Sequence, residues 1–182
     1  MKYKLLFVLV IACLTLSEGC KNKEADNPRE NYIKNIIGKE LILNDNLMVK
    51  GEDSCLYANE LYKSLKIVVY SDSLSCACEL KLPLWKIRFK ELLRNNNNVG
   101  LVFIINTNDI PSVELDIQVT KVQGIKLYDC NGVFEKNNDL YNDSDLHVFL
   151  IDRDNKVLLV GNPLDNHKLF ALYKNLIDRL KK

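Results

Sequence analysis

Two short runs of β-branched and aliphatic residues, Lys66-Ile67-Val68-Val69-Tyr70 and Val99–Ile105, flank an apolar stretch with helical spacing. No other feature limits the folds open to the chain so much. Runs this short and this apolar read as buried strands. Between them, Leu82, Trp85, Phe89, Leu92 and Leu93 fall on one helical face, and Leu80, Leu84 and Ile87 cover a neighbouring one. A helix that apolar is expected to pack against a sheet. Pro83 lies inside it and is expected to kink it, because proline lacks the N–H that the helical ladder needs.

The same logic orders the rest of the chain. Ile125–Tyr128 is a further short strand. Val113, Leu115, Ile117 and Val119 alternate as a strand would. Parallel strands on either side need a crossover, however, so the segment reads better as a helix. Asn95-Asn96-Asn97-Asn98 separates two periodic segments as a loop. His147–Ile151 and Val157–Val160 flank Asp152-Arg153-Asp154-Asn155-Lys156, which predicts a β-hairpin. Leu169, Leu172, Tyr173, Leu176 and Leu180 mark an amphipathic C-terminal helix, with Lys and Arg suiting the dipole in its last turn. The expectation is an α/β domain: a central mixed sheet flanked by helices, ending in a β-hairpin and a C-terminal helix.

The N-terminus reads as an address. Met1-Lys2-Tyr3-Lys4 is basic, and Leu5–Leu16 is an apolar run too short to span a bilayer. Ser17-Glu18-Gly19-Cys20 follows, then a polar stretch. This resembles a bacterial lipoprotein signal cleaved before a cysteine that takes the lipid. The alternatives are Cys13, after Val10-Ile11-Ala12, and an ordinary secretory signal. The expected organisation is therefore a signal peptide over 1–19, a lipidated tether and lead-in over 20–37, and one domain over 38–182. Export permits disulfides. With Cys13 removed and Cys20 lipidated, Cys55, Cys76, Cys78 and Cys130 remain, with three fully paired connectivities open. A net charge of +1 gives no basic field for nucleic acid.

Cys76-Ala77-Cys78 falls at the expected junction between the first strand and the first helix. A thiol at a helix N-terminus gains from the positive end of the macrodipole, and only the thiolate attacks disulfides. Asp72 and Glu79 oppose that gain. Residues i and i+2 do not share a helical face, so a Cys76–Cys78 bond needs Cys76 ahead of the first turn. So small a ring is strained and easily reduced. A metal reading joins the two thiolates with His147, as Cu(I) or zinc ligands. Against it, His147 is simply a histidine at a strand edge. Cys130, in a turn after a strand, reads either as a resolving thiol or as an isolated or structurally paired cysteine. His167 is expected to face solvent. No phosphate loop, HExxH or Ser-His-Asp order stands out, and no cofactor is called for.

The element order, the motif's place, and Pro83 five residues after Cys78 resemble the thioredoxin fold. With "HVFLIDRDNKVLLVGNP" at 147–163 and the leader, the chain is similar to redoxin-type thioredoxin-like lipoproteins of Gram-negative bacteria. The resemblance implies thiol–disulfide exchange through Cys76 and Cys78, with Ser75 and Pro83 supporting the motif. Exported protein thiols and disulfides would be the partners. It also implies a membrane-anchored protein at the periplasmic face or cell surface, in the outer membrane rather than the inner. Two positions depart from the family pattern. Ser75 stands where the family has its nucleophilic cysteine, and the family's cis-proline position falls near Leu146. A redox-inactive binding or scaffold lipoprotein is the alternative reading.

Overall fold

The computed structural model describes residues 27–43, 48–49, 60–72, 77–94 and 98–180. Cys13, Cys20, Cys55, Ser75 and Cys76, the signal segment and most of the asparagine run lie outside them. Chain contacts separate residues 1–31 from a compact unit over 32–182.

Helix α1 is Pro28–Ile36. Strands follow at β1 Met48–Val49, β2 Leu65–Ser71, β3 Val99–Ile105, β4 Ile125–Tyr128, β5 Val148–Asp152 and β6 Val157–Val160. Helices α2 Leu82–Leu92, α3 Ile110–Thr120, α4 Val133–Asn138 and α5 His167–Arg179 complete the fold. The six strands form one mixed sheet in the order β1-β4-β3-β2-β5-β6. Strands β2, β3 and β4 run parallel, while β5 lies antiparallel to β2, β6 to β5 and β1 to β4.

Alternation along β2 builds two cores. Ile67 and Val69 join Trp85, Phe89, Val113, Phe170 and Tyr173 on one face. Val68 and Tyr70 join Ile36, Leu41, Phe134, Leu146 and Phe149 on the other. The crossover helix α3 and the hairpin form as the sequence predicts. In the hairpin turn, Asp152 Oδ1 accepts from the backbone N–H groups of Asp154 and Lys156, each at 2.9 Å. Tyr173 anchors α5 to the sheet, its buried hydroxyl donating to the Gly161 carbonyl at 2.9 Å, and burial pushes its phenol well above the ordinary range.

Several expectations need correction. The first helix is not one kinked helix. A 3-10 turn over Ala77–Leu80 ends at Lys81, in the left-handed conformation (φ 49°), and α2 starts afresh at Leu82. Pro83 therefore sits in the first turn of α2, where its missing N–H costs nothing. The first apolar face is covered, with Leu82, Trp85, Phe89 and Leu92 buried; of the neighbouring one Leu80 is buried in the 3-10 turn, while Leu84 and Ile87 are exposed. On α5 the buried stripe is Phe170, Tyr173 and Ile177, and Leu172 and Leu180 face outward. The lead-in is helical from Pro28, with Asn27 Oδ1 accepting from the Arg29 N–H at 3.2 Å, and Ile36 enters the core. Strand β1 and helix α4 carried no periodic signal.

Helix α4 is too short to stand alone, and Asp129 holds it. The carboxylate is 3% exposed and accepts from the N–H groups of Val133 at 2.9 Å and Phe134 at 2.8 Å. Asp129→Ala leaves a buried donor at Phe134 and a half-buried one at Val133 without this partner and is expected to cost about 2 kcal/mol, read from chemical unfolding. An unchanged unfolding midpoint would count against this capping role.

Candidate functional site

The C-terminal end of β2 carries the chain into the site. After Ser71 and Asp72, the described chain resumes at the 3-10 turn that holds Cys78. Cys78 is exposed and disulfide-bonded, and its partner lies outside the described residues. Its carbonyl accepts from the Lys81 N–H at 3.1 Å, which closes the turn. Lys81 then pairs with Asp165 at 2.6 Å, tying the turn to the loop before α5.

A cleft of about 280 Å³ opens beside this turn. Tyr70, Ser71 and Asp72 of the β2 end line it with Glu79 and Trp85 on one side and Asp145 and Asn162 on the other. Trp85 forms its floor, edge-on to Phe103 at 6.2 Å and 1% exposed. Asp72, Glu79 and Asp145 outnumber Lys81 among the charged side chains of the lining. Thus Cys78 stands in the turn beside a partly apolar groove that carries three acidic side chains and one basic one.

His147 stands at the entry to β5, and it is buried, 1% exposed. Its Nε2 lies 2.8 Å from the Tyr141 carbonyl. Its Nδ1 has no hydrogen-bond partner and stands 4.0 Å from Asp72 Oδ1. One ring nitrogen is thus committed to a carbonyl. Among the described residues no three His, Cys, Asp or Glu side chains converge to hold a metal, and Cys76 of the metal reading lies outside them. The ring packs against Tyr70 at 5.4 Å. The Tyr70 hydroxyl turns away to Glu135 Oε2 at 3.2 Å, and burial is the main cause of its raised pKa, with Asn106 opposing.

Leu146 is buried and ends a 3-10 turn over Ser144–Leu146, capped by the Asp143 carboxylate. The described residues contain no cis peptide bond. Cys130 is a free, partly buried thiol packed against the core on the α2 side, so the structurally paired reading of it falls. His167 is exposed, as expected.

No protein-family model matches the chain, and no curated protein matches it. Solved structures do. A protein from Bacteroides thetaiotaomicron, provisionally assigned as a protein disulfide isomerase, superposes with a TM-score of 0.56 at 18% identity, covering 79% of this chain and 89% of that one. The thioredoxin domain of a thiol-disulfide oxidoreductase from Bacteroides vulgatus gives 0.51 at 10% identity, over 65% and 83% of the two chains. A thioredoxin-like protein from Bacteroides caccae gives 0.53 at 14%, over 85% and 53%.

The fold is thioredoxin-like.

In this thioredoxin-like domain, the β2–α2 junction that carries Cys78 and the turn that carries Leu146 border the same cleft. Sequence reasoning singled out Cys78 and His147 but not the Tyr141 carbonyl that His147 contacts. It missed Trp85 as the cleft floor and Asp72 as the charge facing His147. Asp72 did carry a signal, as an acidic residue between the strand and the motif.

Proposed function

We propose that this chain is a membrane-anchored thiol–disulfide exchange protein, held by lipid on Cys20 and acting on exported proteins through Cys76 and Cys78. One observation carries the reading: Cys78 is exposed and disulfide-bonded, in a turn whose next three residues line a cleft, at the β2–α2 junction of a thioredoxin-like domain. A bond kept for stability is normally sheltered, whereas an exposed one at a helix start is open to attack by a substrate thiol. The 3-10 turn starts at Ala77, one residue before Cys78, which suits the requirement that Cys76 precede the first turn. The cleft offers Trp85 and Leu164 for apolar contact and acidic side chains for specificity.

Mass spectrometry of the mature protein, alkylated without reductant before digestion, tests this. The expected result is a Cys76–Cys78 bond, an alkylated Cys130 and a lipid-modified Cys20. A Cys55–Cys78 bond would replace the exchange motif with a structural link.

Leu146 favours a second reading. A buried leucine in a 3-10 turn stands where the family's proline borders the motif, which suits a domain that keeps the fold for binding alone. That reading requires the protein to be inert toward both thiols and disulfides.

A further inference from the structure

The side of the domain formed by α2 and α3 presents apolar side chains to solvent. Both helices pack on the same core, through Trp85 and Phe89 of α2 and Val113 of α3. Two steps along a helix turn it through about 200°, so Ile87 and Leu115 point away from the buried Trp85 and Val113. They are 64% and 61% exposed, and Val119, one turn beyond Leu115, is 75% exposed. Lys86 Nζ donates to the Thr120 carbonyl at 2.8 Å, so the two outer surfaces adjoin. Single exposed aliphatic residues are ordinary, but several on adjoining helices form a patch, and such patches mark contact sites.

The exposed charges on this side are of one sign. Over 81–94 and 110–121 they belong to Lys81, Lys86, Lys90, Arg94 and Lys121. The acidic side chains of the two helices are half-buried: Glu91 pairs with Arg88 at 3.4 Å, Glu114 accepts from the Tyr128 hydroxyl at 2.6 Å, and Asp116 is the third. Lys81 pairs with Asp165 at the cleft end, and the other four cations charge the rest of the face. A second copy of the chain fits this face badly, because a two-fold contact would set lysine against lysine. A lipid surface fits both halves of the pattern. Aliphatic tips enter the boundary below the headgroups, while long basic side chains lie along it and keep their charge among the phosphates.

We propose that α2 and α3 form a docking face for an anionic lipid surface, with Ile87, Leu115 and Val119 entering the headgroup boundary and Lys86, Lys90, Arg94 and Lys121 meeting lipid phosphates. The face is independent of thiol chemistry and goes beyond the exchange reading; nearness to lipid comes from the anchor proposed at Cys20. Lys81 borders the face and also lines the cleft, so docking sets the cleft at the margin of the contact.

Lysine labelling of the full chain, read residue by residue in a mass spectrometer, tests the face. The chain is mixed with vesicles of phosphatidylcholine alone or of phosphatidylcholine and phosphatidylglycerol in equal parts. Lys90 and Lys121 are expected to react about fivefold more slowly with the anionic vesicles than with the neutral ones. Salt at about 1 M, which screens charges beyond about 3 Å, should remove the difference. Lys136, on α4 across the sheet, and Lys156, in the hairpin turn, should react equally with both. Ile87→Asp with Leu115→Asp changes two exposed positions, so the fold should survive and the slowing should vanish. Equal rates at Lys90 and Lys121 with the two vesicle types would overturn the proposal. Slowing that appears without vesicles and grows with protein concentration would give the face to a second copy and overturn it too. Slowing by polyglutamate that matches the anionic vesicles and survives the double substitution would give it to an acidic protein. The anchor is judged separately, by the mass of the Cys20 peptide: an unlipidated chain that still shows the slowing keeps the docking face and loses the anchor.

Discussion

The Cys78→Ser protein is expected to lose thiol–disulfide exchange completely, while Cys130→Ser keeps it. A hydroxyl cannot form the mixed disulfide, and Cys78 is the exposed, described half of the bond. Cys130 is free, partly buried and packed against the core, so it is not part of the bond that Cys78 holds. The measurement is the rate at which oxidised protein converts a peptide dithiol to its disulfide, followed by alkylation. Exchange surviving in Cys78→Ser would remove the site from this junction. The double change Ser75→Cys with Cys76→Ser is a companion test. It rebuilds two cysteines separated by two residues, whose larger ring is less strained and therefore harder to reduce than a Cys-x-Cys ring. The rebuilt protein is expected to have a lower reduction potential and to reduce a test disulfide faster. An inert wild type beside an active rebuilt motif would leave a fold that has lost its chemistry.

Gly124→Ala is expected to be the most destabilising single methyl in the domain. Gly124 lies at φ +104°, and a Cβ there would stand 2.4 Å from the Leu101 carbonyl oxygen and 2.9 Å from the Leu101 Cβ. Both obstacles belong to the middle of β3, which is buried throughout, so neither can swing aside. Backbone strain and overpacking together should cost roughly 3 kcal/mol. In a domain of this size that lowers the melting temperature by about 10 °C. Gly38→Ala is the control: it also has positive φ, +81°, but nothing within 4 Å, so only the smaller conformational cost applies. Similar losses in the two variants would show that the close approach of Gly124 to β3 carries no energy.

How much of this was legible depended on what kind of signal each residue carried. Strands β2 and β3 announced themselves because burial on both faces leaves an unbroken apolar run. Helix α3 was settled by topology against its own alternation: Val113 is buried, but Leu115 and Val119 are exposed. Helix α4 was invisible because Asp129 supplies its stability from outside the segment. The break at Lys81 was misread as a kink, since spacing alone cannot show that a lysine turns left-handed before a proline. Lys66 was counted as part of an apolar strand without regard to its charge. It proves 1% exposed, with its ammonium donating to the Leu61 and Arg153 carbonyls at 3.3 Å and its pKa drawn down by burial. In the site, residue types located Cys78, but the pairing of His147 with Tyr141 and Asp72 depends on which way a buried ring points.

Helix α1 bears on the length of the proposed membrane tether. With the anchor proposed at Cys20, the residues before Pro28 are the part of the tether that precedes the first helix. Eight residue steps reach at most about 28 Å when fully drawn out. That is of the order of a small domain's own diameter. The cleft would therefore patrol a thin layer next to the lipid surface, meeting chains as they emerge from or dock at the membrane rather than sampling the volume beyond it. Within that layer a short leash raises the local concentration of the Cys78 disulfide for any substrate held at the same surface, so weak contacts in the acidic cleft would suffice.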